Sequence, residues 1–265
     1  MAALLVIPIF VLILFLIYRK FKREKQRLAA ISVWAKANGF EFSKIDPFND
    51  VVAHQGGLFS SVTSTPPTNP TVGPAGALYE GASPGSVFEY FRSGDRRGTK
   101  NVLCASDNGS YTRIFDFWYE VINYSSNGGT ETTRYDFTCL LLDVNASWPG
   151  LKIAREGFFS KMADHLGMED QQFESEQFNK MFNVKGQDPR FSSALLDARM
   201  MQWLITNKEF FKQLEVANTW VLIVAKKLKA TEYSQLLNLG RGFSQSIPNV
   251  VWDWYPHTTQ QKGEQ

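Results

Sequence analysis

Residues 112–124, TRIFDFWYEVINY, and 133–144, TRYDFTCLLLDV, decide the fold. In the first, Phe115, Phe117, Tyr119 and Val121 recur at every second position; in the second, Tyr135, Phe137, Cys139 and Leu141 do the same. A period of two is that of a strand, whose successive side chains point to opposite faces. The turn cluster SSNGGTET (125–132) separates them, so antiparallel pairing lays both rows on one apolar face. Cys139 then reads as a small core residue. NVLCAS (101–106) adds a strand across DNGS (107–110), and LKIARE (151–156) reads as a further short strand. FKQLEV (211–216) and TWVLIVAKK (219–227) suggest a hairpin, and NVVWDWY (249–255) a short terminal strand.

Helical spacing surrounds this strand-rich centre. EKQRLAAISVWAKANGF (24–40) predicts a helix stopped at Asn38-Gly39, and GFFSKMADHLG (157–167) another. Asp188-Pro189 is an N-cap followed by proline at the first helical position, and Asp197 is a second N-cap. Phe191, Ala194 and Leu195 face the core, and Met200, Met201, Trp203 and Leu204 follow in the turns after Asp197. Phe178, Phe182 and Val184 read as packing residues of an extended segment. TEYSQLLNLGRGFSQSIP (231–248) predicts a helix with Thr231 as N-cap and Tyr233, Leu236, Leu237, Gly240 and Phe243 buried. The expected class is α+β, mainly an antiparallel sheet with packed helices, preceded by one N-terminal transmembrane helix.

That last element rests on MAALLVIPIFVLILFLIY (1–18). Ala2–Tyr18 carries no charge, and 13 of its positions are Leu, Ile, Val or Phe. Its summed insertion free energy is about −4 to −8 kcal/mol. The run spans about 26 Å as a helix, slightly less than a hydrocarbon core of ~30 Å. No basic residue precedes it, whereas RKFKREKQR follows; a cleaved signal peptide has the opposite order. The positive flank Arg19, Lys20, Lys22, Arg23, Lys25 and Arg27 predicts a single-pass protein of the inner (plasma) membrane with its C-terminal domain in the cytoplasm. The same six residues are candidate contacts to anionic lipid headgroups.

The chain divides into the helix and its basic extension (1–38), a Pro/Ser/Thr-rich linker or insertion (39–86), an α+β domain (87–255) and a disordered tail (256–265). Of 28 basic and 26 acidic residues, the flank holds six and one, leaving 22 against 25 and a net charge of −3. A nucleic-acid partner is therefore not expected. Cys104 and Cys139 lack C-x-x-C spacing and are expected as free thiols in a reducing cytosol; an external domain would leave them free to pair.

Sites for chemistry are sparse. GASPG (81–85) fits G-x-S-x-G, but Pro84 follows the serine and no strand–turn–helix context is apparent. GDRRGTK (94–100) lacks the spacing of a phosphate loop and reads as a basic hairpin turn; Arg96, Arg97 and Lys100 are candidate contacts to an anion or an acidic partner. His54, His165 and His257 form no metal-ligand spacing. No catalytic residue, cofactor or metal site is predicted. Three readings remain. One is a non-catalytic binding or scaffolding module at the membrane with a protein partner. A second is a membrane-tethered, hydrolase-like enzyme using carboxylates around Glu169–Glu176 with Asp164 and His165. The third is an anionic-lipid surface sensor combining the flank with Arg96–Lys100.

The combination WAKANGFEF, GDRRGTKNVL, FDFWY, GLKIAREGFFSKMADHLGMEDQQFESEQFNKMFNV and DPRFSSALLDARMMQWL resembles a family of bacterial membrane proteins, commonest in actinobacteria. The resemblance covers most of residues 87–250 and is most specific over Phe173–Leu204. It implies an N-terminal hydrophobic helix, a cytoplasmic domain of unassigned activity, and an insertion over about Asp50–Ser86. It implies no catalytic or binding residues.

Overall fold

The computed structural model describes residues 2–52, 83–107, 110–125, 128–158 and 168–256; of residues 2–9 and 107 it describes the backbone alone. A long helix, α1 (Ala2–Ala37), leads through Gly39, at φ +75°, into β1 (Glu41–Ile45). After a short helix, α2 (Pro84–Val87), and a 3-10 turn (Glu89–Arg92) come three long strands. These are β2 (Arg96–Asp107), β3 (Ser110–Tyr124) and β4 (Thr130–Arg155). Next are β5 (Glu169–Gln171), α3 (Glu176–Met181), β6 (Phe182–Gly186), α4 (Pro189–Leu195) and α5 (Ala198–Asn207). β7 (Gln213–Lys226), α6 (Tyr233–Ser246) and α7 (Asn249–Trp254) complete the described chain. The class is α+β, with an antiparallel sheet and packed helices.

The sheet is organised around β4. One edge of β4 pairs with β3 and then with β6, while its other edge pairs with β7 between Phe137 and Ala154. The order is β1-β2-β3-β4-β6-β5, with β7 against β4. The two rows share one face, as expected: Phe115 lies opposite Cys139, Phe117 opposite Phe137 and Tyr119 opposite Tyr135. On that face these residues pack with Phe88, Tyr90 and Phe91; the Tyr90 and Phe91 rings lie 5.3–5.9 Å from Phe115, Phe117 or Phe137. The opposite face carries Leu103, Ile114 and Leu140, and is covered by Ile31 and Ala35 of α1 together with the helices from α3 onward. Asp188 and Asp197 cap α4 and α5, accepting from the Arg190 and Met200 amides.

Several expectations are corrected. LKIARE is the far end of β4, and the supposed hairpin at 211–227 is one strand. Asn145 and Asn218, at φ 50° and 51°, break the β4–β7 register without reversing the chain, because both flanks of each strand stay paired. Asparagine tolerates the left-handed region, so its turn signal becomes a bulge that bends the sheet. NVVWDWY is helical, Phe178 lies in α3, and the 3-10 turn Ala230–Glu232 displaces Thr231 as the cap of α6. The segment Gly94–Lys100 is mostly strand.

The linker expected over 39–86 begins with β1, and its described ends are fixed to the sheet. Asp50 receives two hydrogen bonds from Arg113, at 2.8 and 2.9 Å, and the Gly85 amide donates to the Asp50 carbonyl at 2.9 Å. Asp50 and Gly85, on either side of residues 53–82, therefore meet. That segment lies outside the described residues, as do residues 159–167 of the helix expected over 157–167, all three histidines and the tail from 257.

Among the described residues no helix is long and apolar enough to cross a membrane. The transmembrane expectation is not met by the described side chains of α1: basic residues begin at Arg19, only nine positions after Phe10. Ala2–Ile9, which complete the apolar run, lie outside the described side chains.

Candidate functional site

Three groups of charged side chains sit where the fold brings distant segments together. The first joins α1 to the sheet. Asp116 points from β3 toward α1, with only 1% of its side chain exposed. Both its oxygens accept from Arg27, at 2.7 and 2.8 Å, while Asn101 and Thr138 donate at 2.8 and 3.2 Å. Asn101 reaches Asp116 because its φ of 54° forms part of the bulge in β2. Arg27 also donates to the Leu228 carbonyl at 2.8 Å and the Tyr233 hydroxyl at 3.1 Å. Burial opposes the charge on Arg27, but the hydrogen bond and field of Asp116 outweigh it and raise the guanidinium above its ordinary value.

The second group is a row across the other end of the sheet. Asp170 on β5, Lys185 on β6, Lys152 on β4 and Glu215 on β7 stand at successive register positions. Lys152, Lys185, Gln213 and Glu215 are buried. Burial pushes the Glu215 carboxyl up to about 7, against the opposing pull of Lys152 and a hydrogen bond from Gln213. Tyr90, also raised by burial, has a buried hydroxyl with no hydrogen-bond partner among the described residues. These buried charges stand beside one another along the register and read as internal structure. Arg113, bound to Asp50 and stacked 4.4 Å from the Phe48 ring, is similarly structural.

The third is a groove of about 880 Å³ between α1 and the loop following β7. Arg19, Lys20, Arg23 and Arg27 line one wall, and Lys227 and Lys229 the other. Glu24 is the one acid among the described lining residues; it lies 3.2 Å from Lys227.

The predicted flank is thus sorted by position. Arg19, Lys20 and Arg23 line the groove; Lys22 and Lys25 are exposed elsewhere on α1. Arg27 is committed to Asp116 and is not available to a headgroup. Arg96 lies 3.6 Å from Glu120, and Arg97 donates to carbonyls of the preceding turn. Lys100 sits beside Asp116 in the β2–β3 register. None of these three lines the groove. Ser83 stands at the N-cap position of α2, and the residues just before it lie outside the described ones. Glu169, Asp170, Glu174 and Glu176 are exposed; Asp170 lies 3.7 Å from Lys185, and Glu176 3.4 Å from Lys180. These carboxylates form no convergent pair. Among the described residues, no cluster of potential metal ligands occurs.

Sequence reasoning missed Lys227 and Lys229, although the basic run KKLK (226–229) directly after a strand was visible. It also missed Asp116, which lies in the alternating strand that defined the fold; one acid on the apolar-rich stretch FDFWY was the available signal.

No family model and no curated protein matches the chain. Among solved structures, it is similar to the mycobacterial trehalose monomycolate transport factor A, with a TM-score of 0.52 and 13% identity, over 84% of this chain and 96% of that one. At this identity the likeness shows a shared fold.

Proposed function

We propose that the chain is a single-pass, membrane-anchored protein whose α+β body is a non-catalytic binding or scaffolding module on the cytoplasmic side of a bacterial plasma membrane. One observation carries this reading. Every residue from Phe10 to Tyr18 is a large apolar or aromatic side chain between 46% and 61% exposed, all around the helix, on the same α1 whose other end is packed into the core. An all-round apolar helix requires an apolar environment, and the body supplies none here. Ala2–Ile9 extend the run to a length that nearly spans a bilayer, and the basic flank gives the orientation.

The similar solved structure is that of a transport factor for trehalose monomycolate, which supports a membrane-associated, non-catalytic role. The outward, separate positions of the Glu169–Glu176 carboxylates support the absence of hydrolytic chemistry. The family resemblance supports a bacterial membrane protein. Paired C-terminal reporters test the topology, one active only in the cytosol and one only outside, with alkaline carbonate washing of the membranes. Cytosolic activity and retention in the pellet are expected. Release by carbonate, or activity of the external reporter, refutes the proposal.

A further inference from the structure

The groove between α1 and the loop after β7 has the construction of a ligand site. Its helix wall is a stripe at spacings of three and four, Leu16, Arg19, Lys20, Arg23 and Arg27, which places these side chains on one side of α1. Its loop wall is held in place by that same helix. Arg27 donates to the Leu228 carbonyl at 2.8 Å, and Lys227 lies 3.2 Å from Glu24. Lys227 and Lys229 therefore face the helical cations from a fixed position.

The charges are not balanced internally. Arg19, Lys20 and Arg23 have no ion-pair partner among the described residues, and Glu24 is engaged with Lys227 and with Arg27, the latter at 3.6 Å. Like charges gathered on two walls repel one another unless an anion lies between them. The groove also contains apolar surface, Leu16 and Leu228, and Leu16 belongs to the exposed apolar run. A ligand with phosphate at one end and hydrocarbon at the other matches this combination; a free phosphate uses only the cations.

We propose that this groove binds the phosphate-bearing headgroup of an anionic membrane lipid, with Arg19, Lys20, Arg23, Lys227 and Lys229 as its cationic contacts and Leu16 alongside the acyl chain. The inference rests on the membrane-anchored reading and deepens it. Arg27 forms the floor and orients the loop. Lys22 and Lys25 contribute only to the general field of the flank. Lipid recognition is thereby a joint property of the helix and the body, coupling the body's seating to the composition of the inner leaflet.

The experiment titrates short-chain dioctanoyl phosphatidylglycerol, and separately dioctanoyl phosphatidylcholine, into the detergent-solubilised full chain and follows tryptophan fluorescence. The expected result is preferential binding of the anionic lipid. K227Q/K229Q should weaken its binding roughly thirtyfold, as for two basic residues near a lipid surface. K22Q/K25Q removes the same charge and should change it less than about threefold. R19Q/R23Q is a second variant, acting on the helix wall, and should weaken the anionic lipid as K227Q/K229Q does.

Equal weakening by K22Q/K25Q and K227Q/K229Q, or equal affinity for the two lipids, overturns the groove assignment. Full competition by millimolar inorganic phosphate assigns the site to a soluble anion and overturns the lipid assignment. Retention of the wild type in phosphatidylcholine vesicles after carbonate washing is measured separately. Its loss refutes the anchor, whereas failure of the titration with retention intact refutes the groove alone.

Discussion

Replacing Arg27 by methionine should detach α1 from the sheet energetically without removing the apolar stem of the side chain. In the wild type the guanidinium gives Asp116 two hydrogen bonds, at 2.7 and 2.8 Å, and reaches Leu228 and Tyr233 as well. After R27M, a carboxylate only 1% exposed keeps Asn101 and Thr138 but no cation. Breaking one side of such a buried pair costs about 3–5 kcal/mol. D116N is milder, at about 1–3 kcal/mol, because its amide oxygen still accepts and Arg27 retains its other two acceptors. In the double variant R27M/D116N no charge remains buried, so it should be more stable than R27M alone, with a coupling of about 2 kcal/mol. The assay is unfolding of the full chain in detergent, by heat and by urea, followed through tryptophan fluorescence. R27M alone should lower Tm by about 6–20 °C, at ~2–4 °C per kcal/mol for a body of this size. A loss below about 1 kcal/mol in R27M, or a double variant that loses the sum of the two singles, would refute the view of this joint as a buried, coupled ion pair.

Glu215 gives a pH dependence of definite sign. Its folded value of about 7 lies above its ordinary value of 4.5, so its contribution to stability is fully present below 4.5 and is lost as pH rises through 7. Wild-type unfolding free energy should fall across pH 5–7 relative to E215Q; parallel curves would exclude Glu215 as the titrating group. At the bend in β7, N218V should cost about 1–2 kcal/mol in urea unfolding, because a β-branched side chain resists positive φ. N218G should stay within about 0.5 kcal/mol, and equal losses would remove left-handed backbone as the cause. Burial raises the Cys104 thiol to about 11 despite Arg113, and raises Cys139 as well. Neither thiol should react with a disulfide reagent in the native state at pH 7, and both should react after denaturation. Rapid labelling of the native protein would contradict their burial.

The strand period of two made Phe115–Val121 and Tyr135–Leu141 legible as one face of a sheet, and the Asp-Pro and Asp caps of α4 and α5 were equally readable. These are local signals: backbone alternation and capping hydrogen bonds act within a few residues, so the order of residues carries them. The apolar run and its basic flank were legible for the same reason. Where local chemistry allowed two outcomes, the sheet decided. Asn218 permitted either a reversal or a bulge, and only the pairing of β7 with both halves of β4 selected the bulge. Asn249–Trp254 is apolar enough for either a strand or a helix.

The candidate site shows the same division. Six cations of the flank were equivalent as sequence, because their shared property is charge and nothing local ranks them. Tertiary structure separated Arg27, captured by an aspartate 89 positions away, from Arg19, Lys20 and Arg23, which face Lys227 and Lys229 across a groove. Long-range pairing of this kind depends on which surfaces the closed fold brings within a few ångströms. A linear pattern specifies the sign and spacing of charges; the packed helix and sheet fix which of them are buried, which are paired, and which still face an open groove.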